Sequence, residues 1–385
     1  MGWVLGVPDG SIESLDTDGT SVGLCWYQGL VALDTPRRSM FQPPFCPYRK
    51  CRAHAAPGPR FYLRHGSFHP RCRAHPVPRF RCRTCLRTFS RQTFRADYRD
   101  HRPDLNAALL RALARGSGLR EASRQLGLSL RCTELKARKI GRHLRRLNLT
   151  LRGRLPEGSR LVFDELETYE TRRNTRPLTV PFLVEGESLF IVWAESAPIR
   201  PSGKMSKARK AAIAEDRARF GPRKDLSRQS IMRTLERGAA MLHTDQGVLI
   251  DTDEKSTYAG LLRKVFGGRL LGHRKTNSLV LRATWNPLFP VNSEEARARD
   301  MMGRIRRESW LVSKARRWLD IGLQVHMAYR NYVRRRSNPE EASPAMRLGI
   351  LKRRLRPEEL LSWRQSWGAR SPLPMGRARG GTVRA

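Results

Sequence analysis

Acidic residues are scarce in this sequence. Its 385 residues hold 35 Asp and Glu against 75 Lys and Arg, a formal net charge of +40. The basic excess runs along the whole chain, so a polyanion bound through its phosphates is the default partner. No run of about 18 apolar residues occurs, and no membrane-spanning helix is expected. No basic start followed by an apolar stretch is visible, so no secretion signal is expected either. A basic amphipathic anchor is also missing, which argues against an acidic membrane surface as the partner. Neither a glycine-rich phosphate loop nor a Ser-His-Asp order appears, which argues against nucleotide hydrolases and acyl-transfer enzymes. Cysteines number seven. Four of them fall in two close pairs, a pattern that fits a metal site in a reducing, cytoplasmic compartment better than disulfides.

What is present divides the chain. The length predicts two or three domains, and 39% hydrophobic residues supply their cores. Residues 1–40 are less basic, show no clear period and remain an unassigned extension. Residues 45–99 carry Cys46, Cys51, Cys82 and Cys85. Zinc takes four soft ligands in a tetrahedron, and two close cysteine pairs on two turns of a small hairpin sheet supply them. This predicts a zinc ribbon. His54, His65, His69 and His75 lie between the pairs as possible replacements, and Cys25, Cys72 and Cys132 read as ordinary thiols.

Residues 103–148 read as helices. A short helix from Leu119, a turn at Gly127 and a basic helix over 130–147 make a helix-turn-helix pattern. An alanine in the first helix and Gly127 in the turn are expected to allow close packing. Arg131, Lys136, Arg138 and Lys139 are then expected to face a DNA groove or its phosphates, with a plain helical hairpin as the alternative. Gly153–Gly158 reads as a linker. Beyond it come strands at 160–165, 178–184 and 188–194, the last two a hairpin across Gly186. A basic insert spans 200–228, with little core potential. It is followed by a helix at 229–243, a strand at 247–251, a helix at 256–266, a short strand near 269–272 and a long helix from about 294. That order predicts an α/β region built on one mixed sheet. The tail after Pro372 reads as disordered.

Two apolar strands in this region run into acid: Leu161-Val162-Phe163-Asp164-Glu165 and Val248-Leu249-Ile250-Asp251-Thr252-Asp253. Carboxylates mounted on buried strands inside a basic chain point to a divalent cation working on nucleic acid. Strand-end acids paired with arginine are the structural alternative. Trp285, Trp310 and Trp318 read as core or helix-packing residues, and His273 as a surface residue or a phosphate contact.

These residues together resemble bacterial insertion-sequence transposases of the DDE type, similar to the insertion sequence one group and its zinc-ribbon relatives. The likeness covers about residues 45–336. It rests on Phe80-Arg81-Cys82, Cys85, Phe89-Ser90 and Thr93-Phe94; on Asp164-Glu165; on Thr252-Asp253 with Tyr258; on Arg299, Arg304, Arg307 and Ser313-Lys314; and on Tyr329-Arg330-Asn331-Tyr332. The resemblance implies an RNase H-like domain over 159–336; residues 337–385 read as a basic C-terminal region. The resemblance also implies two Mg²⁺ or Mn²⁺ ions held by three acids, with water and then a DNA 3′-OH attacking phosphodiesters. Asp164 and Asp253 are the first two acids, and Asp251 is the rival of Asp253. The family's third acid falls on Asn292, a departure. Glu295 lies one turn along the same helical face and is taken as the third acid; Glu294 and Asp300 are its neighbours.

The expected molecule is thus an α+β multidomain chain: a zinc ribbon, a helix-turn-helix and an RNase H-like domain. Its expected function is transposition, with terminal-repeat and target double-stranded DNA as partners and a homo-oligomer assembled on that DNA. The zinc would be structural, and Arg299, Arg304 and Arg307 would touch DNA. The alternative is an inactive, transposase-derived DNA-binding protein or regulator.

Overall fold

The fold is described from a computed structural model, in which residues 41–70, 75–277, 279–306 and 311–364 can be described. Expectations for residues 1–40, Cys72, Arg307, Trp310 and the tail after Pro372 lie outside them.

A short helix α1 (Arg52–Ala55) precedes three antiparallel strands, β1 (Tyr62–Phe68), β2 (Val77–Cys82) and β3 (Thr88–Ser90), in spatial order β1-β2-β3. Inward-facing Phe80 and Phe89 sit opposite each other across β2 and β3, and Phe61 stacks on Phe89 at 6.4 Å. A sheet this small has room for little more core than these rings.

Three helices follow: α2 (Asn106–Ala114), α3 (Leu119–Gln125) and α4 (Leu130–Thr150). The Ser129 hydroxyl caps α4 by accepting from the Cys132 N–H. Ala137, Ile140, Leu144 and Leu147 recur at helical spacing and are buried. Close packing here belongs to Gly141, not Gly127. A Cβ on Gly141 would lie 2.7 Å from the Ile321 side chain, whereas one on Gly127 would meet nothing within 4 Å. Gly127 instead supplies the left-handed turn, at φ +60°. The helices do not stand apart as a module. Leu109, Ala122 and Leu144 share one core with Leu161 and Phe163 of the next region.

That region holds β4 (Arg160–Tyr169), β5 (Pro177–Glu185), β6 (Ile191–Ala194), β7 (Ala197–Pro198), α5 (Lys207–Phe220), α6 (Ser227–Ala239), β8 (Val248–Asp253), α7 (Thr257–Phe266), β9 (Leu270–Thr276), α8 (Phe289–Met301) and α9 (Arg316–Tyr332). Two short helices follow, α10 (Pro344–Arg347) and α11 (Pro357–Ser362). One mixed sheet runs β6-β5-β4-β8-β9, with β7 on the side of β5. The β6-β5-β4 pairings are antiparallel, and β4-β8 and β8-β9 are parallel. The chain is therefore α+β with a mixed sheet, as the element order predicts.

Both faces of the sheet are covered. Leu161 and Phe163 of β4 pack with α6 and α7, whereas Val162 and Leu166 pack with α8 and part of α9. Alternation along a strand sends neighbours to opposite faces.

Three expectations need correction. β4 continues past its acids to Tyr169 because β5 supplies pairing partners as far as Pro177, so Asp164 lies within the strand and not at its end. The basic insert contains a helix, α5, capped by Ser206 and ended by Gly221, with none of its residues buried. The single long helix from 294 is two, α8 and α9: Met302 turns extended and Gly303 follows, which ends the first.

Candidate functional site

Cys46 and Cys51 flank a tight loop, closed by the Cys51 N–H donating to the Tyr48 carbonyl at 2.9 Å. Cys82 ends β2, and Cys85 lies in the turn before β3, where the Leu86 N–H donates to the Cys82 carbonyl at 3.0 Å. The Cys46 and Cys85 sulfurs are 3.7 Å apart, as are those of Cys51 and Cys82. All four sulfurs lie within 4.8 Å of one another. Four thiolates at about 2.3 Å from a zinc ion stand about 3.8 Å apart, so the set can hold a metal such as zinc. Burial pushes the Cys46 and Cys51 thiols up. Burial also opposes ionisation of Cys82, but the backbone N–H groups of Cys85 and Thr84 outweigh it and bring that thiol down to about 7. No histidine takes part: His54 Nδ1 bonds the Cys46 carbonyl at 2.7 Å, and His65, His69 and His75 are exposed.

The second cluster sits on the α8 face of the mixed sheet. β4 and β8 run parallel in the register Val162↔Asp251. The pairing ends there, and two residues further along each strand come Asp164 and Asp253, the charge of Asp253 acting on Asp164. Alternation puts both on the face where Val162 packs, the face covered by α8, which carries Glu295. Burial raises the Asp164 carboxyl, the Glu165 N–H at 2.7 Å partly offsets this, and the charges of Asp253 and Glu165 raise it further. Glu295 is pushed up to about 8, first by burial and then by the charge of Asp164, against the pull of Arg299 and Arg282. Its Oε1 is buried and has no hydrogen-bond partner, and Arg299 approaches only to 3.7 Å of Oε2. A buried carboxylate with an orphan oxygen costs free energy unless a proton or a cation meets it. Among the described residues, however, the cysteines are the only group of three or more His, Cys, Asp or Glu gathered tightly enough for a single ion.

No protein-family model matches the chain, and no curated relative does. The geometry must therefore carry the reading.

The neighbouring acids are engaged elsewhere. Asp251 accepts from Arg274 Nε and Nη2 at 2.9 and 2.7 Å and pairs with Arg160. Glu294 is buried against Arg330, at 2.8 and 2.7 Å, and also pairs with Arg297. Asp300 is exposed at the end of α8, and Asn292 is half-buried on its first turns. Glu165, on the opposite sheet face, accepts from Thr179 at 2.8 Å and from the Tyr258 hydroxyl at 2.7 Å, and pairs with Lys255. These bonds tie β4 to β5 and to α7 around Asp164. Sequence reasoning missed this network and the reach of Arg282. The adjacency of Asp164 and Glu165, and the spacing of Asp253 and Tyr258, were the signals that hinted at it.

The residues expected to face DNA separate. Arg131 is exposed at the start of α4. Lys136 and Lys139 do not face a groove. Lys136 is 3% exposed and donates to the Arg102 carbonyl and Asn106, and Lys139 donates to the Tyr98 carbonyl and pairs with Asp100. They lie on the inner side of α4, where a cation needs a partner. Arg138 and Arg304 both lie over the Trp318 ring. Arg299 is half-buried beside Glu295. Trp285 is not a core residue but 67% exposed. His273 is not a lone surface ring: its Nε2 bonds the Thr252 hydroxyl at 2.8 Å, next to Asp253.

Proposed function

We propose that this chain is a DDE-type DNA transposase, cutting and joining DNA strands with Asp164, Asp253 and Glu295. The observation that carries it is a buried Glu295 with an orphaned oxygen that feels the charge of Asp164, which in turn feels the charge of Asp253, in a chain of net charge +40. The sheet order β6-β5-β4-β8-β9, three antiparallel strands and then two parallel ones, supports an RNase H-like reading of residues 159–336. Four cysteines gathered at the edge of a three-stranded sheet, one pair before α1 and the other at the β2–β3 turn, support a zinc ribbon. The α3–Gly127–α4 segment supports a helix-turn-helix that presents Arg131 to double-stranded DNA at the element ends. Assembly as a homo-oligomer on DNA in the bacterial cytoplasm belongs to the same reading. Among the described residues no helix is long and apolar enough to cross a membrane.

Asp164, Asp253 and Glu295 are the residues that would hold Mg²⁺ or Mn²⁺, which would activate the attacking hydroxyl and neutralise charge at the phosphate. The chain's own part is positioning. The parallel β4–β8 pair carries one carboxylate on each strand just past its last paired residues, and Glu165 and Tyr258 fix β4 against α7. Arg282 supplies positive charge toward Asp164 and Glu295, and a phosphate there would meet it.

A non-catalytic DNA-binding reading keeps two observations of its own: Asn292 stands where the family has Glu, and the three acids are not gathered around a single point. The test is cleavage and joining of element-end DNA with Mg²⁺ or Mn²⁺. Wild type should cut and join, whereas Asp164→Ala, Asp253→Ala and Glu295→Ala should bind DNA and fail to cut. Wild type that binds and never cuts with either metal hands the function to the regulatory reading.

A further inference from the structure

Arg138, Arg304 and Arg317 come from three different elements and meet at one ring. Arg138 is on α4, Arg304 follows α8, and Arg317 stands next to Trp318 in the first turn of α9. Their guanidinium carbons lie 5.5, 6.0 and 5.9 Å from the centre of the Trp318 ring. Packing fixes this meeting place. Gly141 of α4 lies against Ile321 of α9, and a Cβ on Gly322 of α9 would stand 3.7 Å from Cδ of Arg304.

What the cluster lacks is acid. Elsewhere in the molecule, arginines that hold the fold are paired: Arg160 and Arg274 with Asp251, and Arg330 with Glu294. Among the described residues, Arg138, Arg304 and Arg317 pair with no carboxylate. Asp320, one turn along α9, is taken by Ser196, whose N–H and hydroxyl donate to it at 2.9 and 2.6 Å. Arg138 and Arg304 are both half-buried. Nε of Arg138 is buried and has no hydrogen-bond partner. Burial pushes the Arg304 guanidinium down from its usual range, and no carboxylate offsets it.

A guanidinium stays charged when it is desolvated, and a cation taken out of water needs a counter-charge. An aromatic ring satisfies only the flat face of a guanidinium. The five N–H donors lie in its plane and remain for an acceptor. Three such groups around one indole therefore present donors and positive charge to an anion, in a geometry that suits the oxygens of a phosphate.

We propose that Arg138, Arg304 and Arg317 form a seat for one phosphate of the DNA backbone, with Trp318 as the positioning residue that holds the three guanidiniums together. The phosphate oxygens take the in-plane donors and the ring takes the flat faces. The seat continues a path along α4. Arg131 lies two turns before Arg138 on the same side of that helix, about 10 Å away. At about 3.4 Å per nucleotide along one DNA strand, that is about three steps. Arg304 in turn follows α8, the helix that carries Glu295. A backbone held at Arg131 and at the seat is thereby tied to an acid-bearing helix of the candidate site. The seat rests on the DNA reading above.

The test is titration of the full-length protein with a short duplex at several salt concentrations, without added divalent metal. Wild type is compared with the triple variant Arg138→Gln, Arg304→Gln and Arg317→Gln. One shared phosphate predicts that the slope of log affinity against log salt falls by about 0.9 in the triple variant, whereas three separate contacts predict a fall of about 2.7. Trp318→Leu keeps all three charges but should weaken binding at low salt, and Trp318→Phe, which keeps a flat face, should restore it. Without DNA the triple variant should melt no lower than wild type, because it removes like charges and no ion pair. A slope that stays unchanged or falls by about 2.7, or a triple variant that melts far lower, overturns the seat and leaves the DNA reading standing. A wild type that does not bind the duplex at any salt concentration overturns both.

Discussion

Glu294 and Glu295 are adjacent in sequence and opposite in chemistry. Glu294 is closed off by Arg330, and a buried carboxylate–guanidinium pair that loses one member costs about 3–5 kcal/mol. Arg330→Ala should therefore lower the unfolding free energy by that order in chemical denaturation. Glu295 is the reverse case. Its folded carboxyl binds a proton more tightly than the ordinary 4.5, at about 8. The stability of the wild type is therefore fully retained below about pH 4 and is lost as the pH climbs through 8. Glu295→Gln removes the loss, with a gain on the order of 4–5 kcal/mol above pH 8 at about 1.4 kcal/mol per pKa unit. Thermal melts at pH 5 and pH 9 check the sign: the glutamine variant should melt higher than wild type at pH 9 and about equally at pH 5. Mg²⁺ or Mn²⁺ should raise the wild-type melting temperature at pH 9 and leave Glu295→Gln less affected, because the cation replaces the proton on the same oxygen. A wild type whose melting is indifferent to either metal would count against a cation at these acids.

At the scale of elements, a zinc ion held by the four cysteines would staple the first sheet. Its aromatic core is small, and structural zinc sites supply folding free energy directly. Cys82→Ser should release about one bound zinc per chain and loosen β1–β3 while the mixed sheet persists. Zinc content by atomic emission and amide exchange read the two effects separately, and exchange unchanged over β1–β3 would remove the staple. Packing of α4 on α9 makes a second prediction. Gly141→Val drives two methyls into Ile321 and should cost about 1–3 kcal/mol, seen as a lower denaturation midpoint. These elements differ in how far they could be read from sequence. The cysteine spacing and the apolar runs of β4, β5 and β8 are local signals, and they foretold the cysteine cluster, these strands and one mixed sheet. Lys136 misled because its neighbours Asp100 and Asn106 come from the loop before α2 and from its first residue, and nothing in the basic helix announces them. The break between α8 and α9 was hidden for a different reason: the arginines on both sides of Gly303 share one composition, and only tertiary packing separates them. Glu295 was reached through a helical-face argument, but its burial and its orphan oxygen come from tertiary packing that the sequence does not announce.

At the scale of the whole molecule, charge is arranged as much as it is abundant. Many arginines are engaged internally: Arg160 and Arg274 on Asp251, Arg330 on Glu294, Arg223 on Glu170 and the Pro177 carbonyl. These hold the fold and are not free for phosphates. The helix α5 is different. It buries none of its residues, and Lys207, Lys210 and Arg217 are exposed along it. A helix that buries no face has no core to explain it, so its exposed cations are the natural contacts for a polyanion. Each phosphate contact releases counterions and adds about 0.9 to the slope of log affinity against log salt concentration. Replacing Lys207, Lys210 and Arg217 with Gln should thus flatten that slope by up to about 2.7 and weaken DNA binding uniformly across sequences, with the melting temperature unchanged because no buried contact is lost. Fluorescence anisotropy titrations at several salt concentrations measure it. A slope that does not move would assign the DNA contacts elsewhere, to the exposed end of α4 around Arg131, and leave α5 as a solvated face. Removing the charge of Asp164 and Asp253 acts in the opposite sense: it takes two like charges away from the phosphates, so Asp164→Asn with Asp253→Asn should bind DNA more tightly than wild type in the absence of divalent metal.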